Sequence, residues 1–159
     1  MFRKLIATRD DYAIFVVRLV LGLVMLPHGL QKVFGWFGGY GLSGTLAGFQ
    51  QMGIPRPVSV LVVLAESIGA LGLVLGFVGR FMAFSIFVTM LGAVLMVHGH
   101  NGFFMNWTGK APGEGFEYHL LVMALALAVM IRGSGALSAD RVLERSLDTE
   151  SRGFPVTGG

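Results

Sequence analysis

No cysteine occurs anywhere in the chain, which excludes disulfides, thiolate metal sites, iron–sulfur clusters and any catalytic or relay thiol of its own. Charge is scarce as well. Only 13% of the 159 residues are acidic or basic, against roughly a quarter in a soluble domain. A polar exterior cannot be built from so little. Period-two alternation is missing too, which argues against a transmembrane barrel. No flavin or nicotinamide motif is present: Gly39-Tyr40-Gly41-Leu42-Ser43-Gly44 fits the glycine pattern of dinucleotide sites, but no strand precedes it.

What the chain has is apolar surface. Its hydrophobic fraction is 54% and its mean hydropathy +0.72, so lipid must be most of its solvent. The formal charge of +3 forms no dense basic patch, and nucleic acid is not an expected partner. Asn106-Trp107-Thr108 fits a glycosylation pattern but lies close to the membrane.

Four stretches approach the about 20 apolar residues that a spanning helix needs: 12–34, 57–79, 81–99 and, weakest, 116–132. The expected fold is all-α, a polytopic four-transmembrane-helix bundle. The domain is expected over 1–147, with 148–159 a disordered cytoplasmic tail. Even-numbered spans put both termini on one side with Arg3, Lys4, Arg9, Arg80, Arg132, Arg141, Arg145 and Arg152. Lys32, Arg56 and Lys110 fall on the other, so the positive-inside rule makes both termini cytoplasmic. The first eleven residues and the run after them look like a signal peptide, but no small-residue cleavage pattern follows Leu26.

Gly79–Arg80 reads as a minimal turn between the second and third spans. In the first outer loop Leu46, Phe49 and Met52 recur at helical spacing after Ser43 and Thr45, candidate N-caps, and predict a short interfacial helix. Residues 138–147 suggest a similar cytoplasmic one. His28-Gly29 and His98-Gly99 close two spans in the same way, a faint internal echo.

Several polar groups sit in the wrong solvent. Arg18 is well inside the first span, where an arginine costs about 2.5–3.5 kcal/mol and normally finds a partner. Glu66 is the acid of the second span, and the two predict an interhelical pair, either a structural lock or a charge at a redox or proton site. Gly72 and Gly76 form a G-x-x-x-G pair that suits close helix packing.

At the mouth of the first span His28, Gln31 and Lys32 share a helical face, with Pro27 just before them. His98, His100, Glu117 and His119 reach the same level from other spans. Histidine can bond a quinone carbonyl, relay a proton, or ligate metal or haem. The convergence marks a small-molecule site as readily as an interfacial cap. His28, with His98 or His119, would serve as axial ligands to a haem. No metal centre is expected.

Arg18, "HGLQKVFGWFGGYGLSGT" (His28–Thr45), "GFQQMGIP" (Gly48–Pro55), Glu66 with the glycines after it, and "GFEYHLL" (Gly115–Leu121) together resemble the DoxX family. The likeness covers nearly all of Asp11–Arg141. It implies a four-helix protein of a bacterial or archaeal cytoplasmic membrane, linked to quinone. The family name comes from a subunit of a thiosulfate:quinone oxidoreductase, and other members are associated with quinone or catechol stress. Without cysteine, this chain cannot carry sulfur on a thiol.

On that reading His28 would hydrogen-bond a quinone oxygen, Lys32 would stabilise anionic charge, and Glu66 with Arg18 would tune or supply protons. Gln31, Trp36, His98, Glu117 and His119 would complete the quinone site. Electrons must come from a redox partner protein. A non-catalytic scaffold that recruits such partners, or a small transporter, are the alternatives, and a homo-oligomer stays open.

Overall fold

The computed structural model describes residues 2–152, which fold as helices joined by turns, with no strand among them. Helix α1 (Phe2–Ile6) leads into α2 (Tyr12–Phe34). The start of α2 follows from Asp11, whose carboxylate accepts from the Ile14 amide at 3.1 Å. Its end follows from Gly35, which takes φ 73° and donates its N–H to the Gln31 carbonyl. The buried face, Ile14, Arg18, Leu21, Gly22, Met25 and Gly29, is a helical stripe, with Val16, Val20 and Leu23 exposed opposite.

A three-residue 3-10 turn (Trp36–Gly38) leads to α3 (Gly41–Gln51). The short helix expected in this loop is there, but neither Ser43 nor Thr45 caps it. The helix begins before both, and the Thr45 hydroxyl instead donates to the Lys32 carbonyl at 3.4 Å. Helix α3 packs on α2 and on α4.

Helix α4 (Arg56–Leu75) has a π-helical turn at Ala65–Gly69. Helix α5 (Gly79–Asn101) has another at Val94–His98. The reversal between them is Gly76–Val78 rather than Gly79–Arg80. Gly76 and Val78 adopt left-handed φ of 65° and 47°, and Gly79 already begins α5. Helix α6 (Glu117–Arg132) follows, then α7 (Ala139–Arg152). The latter runs into the stretch read from sequence as tail; 153–159 lie outside the described residues.

Three of the four expected spans, α2, α4 and α5, are long and apolar enough to cross a membrane. With 16 residues, α6 falls short of that length. Helix α2 lies along α4, α5 lies along α6, and α2 meets α6 to close the bundle. Its core is Leu21, Met25, Ala65, Ala70, Leu73, Ala83, Ile86, Met90, Val122, Ala126 and Val129.

Lipid tails are as apolar as leucine, so burial alone does not join helices in a bilayer; close van der Waals approach does. The closest approach is made by glycines of α2, not by the Gly72/Gly76 pair. A Cβ on Gly22 would lie 2.8 Å from the Val74 nitrogen, and one on Gly29 would overlap the Glu66 carbonyl. Gly72 faces the flexible Met82, and Gly76 faces Ser138 and Arg18.

The terminal end of the bundle is tied by polar bonds. Arg18, fully buried, donates to the carbonyls of Ser134 at 2.7 Å, Val74 at 2.7 Å, Leu137 at 3.2 Å, and Leu73. The expected Arg18–Glu66 pair is therefore absent: Glu66 pairs with Lys32 instead. The acid whose charge reaches Arg18 is Asp140.

Asp140 accepts from the amides of Val78 (2.7 Å) and Gly79 (2.9 Å) and from the Ser134 hydroxyl (2.5 Å). A carboxylate at the start of α5 also complements that helix's dipole. Outside the bundle, hydrogen bonds from Arg141 hold the Asp10 carboxyl below its ordinary range, with Arg145 adding to the effect.

Candidate functional site

At the opposite end, which carries the loops, four helices bring titratable groups together. Lys32, near the end of α2, pairs with Glu66, in the π-turn of α4. A π-turn inserts an extra residue and re-aims the side chains around it, and such turns recur at functional sites. Glu66 is 5% exposed, and its partner keeps the charge tolerable there.

One turn before Lys32, on the same face, the His28 ring stands 6.2 Å from that of Tyr118. Among the described residues, the acceptor of the Tyr118 hydroxyl is a weak one, the Met25 sulfur at 3.5 Å.

His119, next along α6, is 6% exposed, and its ring contacts His98 at 4.2 Å between centroids. Tyr118 and His119 rings are 5.7 Å apart. His98 ends the second π-turn, and its Nδ1 lies 2.8 Å from the Glu114 carbonyl. A carbonyl only accepts, so the His98 Nδ1 carries the proton. The His119 Nδ1 is buried with no hydrogen-bond partner among the described residues.

The cluster is thus His28, Lys32, Glu66, His98, Tyr118 and His119. Not every expected member joins it. Gln31 turns away and donates to the Phe37 carbonyl at 3.3 Å on an exposed edge. Trp36 is exposed and packs on Phe34. Glu117 accepts from the Met105 amide at 3.2 Å, holding the loop before α6. Arg18 lies at the other end, saturated by carbonyls.

Tyr118 and Met25 were not expected as site residues. The clue to Tyr118 was its place between Glu117 and His119. Among the described residues, no three His, Asp or Glu side chains gather as a metal-holding group.

The ion pair itself is testable. Lys32→Met alone is expected to cost about 3–5 kcal/mol by stranding the Glu66 carboxylate. Lys32→Met with Glu66→Gln should recover a large part of that loss. Denaturant unfolding of the four proteins in detergent checks it; losses that merely add would show no coupling.

Apolar exterior and all-helical architecture define a multi-pass helical membrane protein. The family model described as DoxX matches residues 13–99, more than half of the chain, and the chain belongs to the DoxX family. The inner membrane protein YqjF of Escherichia coli (strain K12) is 28% identical over 137 residues, covering 86% of this chain and 95% of the relative. A Bacillus subtilis (strain 168) protein named "Putative oxidoreductase CatD" is 27% identical, covering 79% of this chain and 82% of its own length. The inner membrane protein YphA of Escherichia coli (strain K12) is also 27% identical, over 80% and 88%. No solved structure matches. With such relatives, the apolar helices belong to a bacterial inner-membrane protein of the multi-pass type.

Proposed function

We propose that the loop end of the bundle binds a quinone headgroup and that the protein serves as a subunit of a membrane oxidoreductase. The observation that carries this reading is the His119 Nδ1. A buried polar atom without a partner costs about 1–3 kcal/mol, and a hydrogen bond with a ligand would offset that. His28, against the neighbouring Tyr118, can bond an oxygen, and Lys32, one turn further along α2, can neutralise charge. The name of the Bacillus subtilis relative supports a redox context.

When bound, a quinone would supply the electron-carrying chemistry. The chain's own residues bind, orient and hold protons, and electrons enter from a partner protein.

This reading includes α6 as a fourth span, supported by exposed Leu121, Leu127 and Ile131 along it. It also places both termini in the cytoplasm, following the charge bias.

His119→Leu tests the site. Its folded stability is expected to hold or rise, since an unpaired polar atom is removed. Affinity for a short-chain benzoquinone, measured by calorimetry in nanodiscs, should fall by about tenfold or more. Unchanged affinity would place the site elsewhere.

A further inference from the structure

Lys32, paired with Glu66, follows His28 by one turn on the same face of α2, and the His28 ring stands 6.2 Å from that of Tyr118. Tyr118 adjoins His119, His119 touches His98, and His98 is bonded to Glu114 in the exposed 99–116 loop. Bridging waters or ring rotations would have to close the gaps between these polar atoms.

Every ring in the series is amphiprotic: imidazole accepts a proton at one nitrogen and releases one from the other, and phenol does both at its one oxygen. Among the described residues, the Tyr118 hydroxyl is held only by a thioether and the His119 Nδ1 by nothing.

Toward the terminal end the path stops. Below Glu66 the fully buried side chains Leu21, Leu73, Ile86 and Val129 carry no proton, and the Ser85 hydroxyl, beside Gly69, donates to the Met82 carbonyl at 2.7 Å. Arg18, beyond them, gives its hydrogen bonds to carbonyls, and an arginine does not release its proton in a protein. The remaining charged groups near the cluster are Lys32, paired with Glu66, and Glu117, which holds the Met105 amide.

We propose that His98, His119 and Tyr118, with His28 beside them, form a proton-exchange path between the Lys32–Glu66 pair and water at the loop end, closed toward the terminal end. One proton enters at His98, passes to His119 and then to Tyr118, and the Tyr118 hydroxyl proton completes the transfer onto the Glu66 carboxylate. Each relay group ends with the proton count it began with. Glu66 becomes neutral while Lys32 stays an ammonium, and the reverse sequence returns the proton to the same side. The path holds whatever ligand occupies the cluster; it makes any proton taken up or given off there exchange with one face of the membrane.

The test uses the whole protein in sealed liposomes, its orientation fixed by protease access to the 139–152 segment. The infrared carboxylic-acid stretch of Glu66, identified by its loss in Glu66→Gln, is followed after a pH jump on one side. The band should respond quickly to the loop side and not to the terminal side. Tyr118→Phe keeps the ring and removes the hydroxyl, and should slow the response by about a hundredfold, as loss of a positioned acid–base group does. His98→Gln should slow it similarly, and thermal unfolding confirms that each variant is folded. An equal response from both sides, unaltered rates in the folded variants, or no Glu66-dependent band at any pH would overturn the path.

Discussion

Arg18→Met is expected to destabilise the folded bundle by at least about 3 kcal/mol, measured by denaturant unfolding in detergent micelles. Of the carbonyls that Arg18 holds, those of Leu73 and Ser134 are bonded in a fully buried setting. A buried acceptor left alone costs about 1–3 kcal/mol. Val74 lies in the last turn of α4, where carbonyls lack a partner in their own helix, whereas the Leu73 carbonyl also accepts from the Gly76 amide at 3.1 Å. The guanidinium ties that helix end to the 134–137 segment with a planar, many-donor group, so Arg18→Lys should restore little. Added to Glu66→Gln, the loss should be additive within about 0.5 kcal/mol, because the two residues share no partner. A strong non-additive term would mean that they communicate after all.

Gly29→Ala should be the most damaging single methyl in the chain, at about 3 kcal/mol. Its Cβ would overlap the carbonyl of Glu66, which is backbone in a helix and cannot swing aside. Separating α2 from α4 at that level also parts Lys32 from Glu66, so ligand binding should fall with stability. Gly92→Ala supplies the contrast. Nothing lies within 4 Å of its added Cβ, and that glycine sits in the helical interior of α5. There the change should be neutral or stabilising by about 0.5–1 kcal/mol. Equal effects of the two substitutions would remove close packing at Gly29 as the cause.

The parts of the molecule legible in its sequence are those with a local signature. Helix α2 is flanked by Asp11 and Gly35, a capping acid and a left-handed glycine, and its limits follow from them. His28 and Lys32, four residues apart, had to share a face. The turn after α4 was harder: Gly76 and Gly79 both suit a reversal, and only the bond from Phe77 N–H to the Gly72 carbonyl shows which ends the helix.

Arg18 shows the deeper limit. A buried arginine suggests a carboxylate partner, but here the partners are backbone carbonyls, which every residue has. Asp140, whose charge does reach it, lies in the 138–147 stretch, which reads only as a short cytoplasmic helix beside the membrane. The π-turns carry no sequence signal either, and they are what place Glu66 and His98 in the cluster. Tyr118 was legible as an aromatic near the interface, but its position between His28 and His119 depends on how α6 rotates against α2.

Asp140 also sets a timetable. The amides of Val78 and Gly79 that it binds are made long before it, and so is the guanidinium whose charge it balances. The hydroxyl of Ser134 and the carbonyls of 134–137 leave the ribosome only after the last long helix. The hinge between α4 and α5, at the terminal end of the bundle, thus has two amides that wait for Asp140. It is fastened from behind, by a carboxylate rather than by a hydrophobic helix.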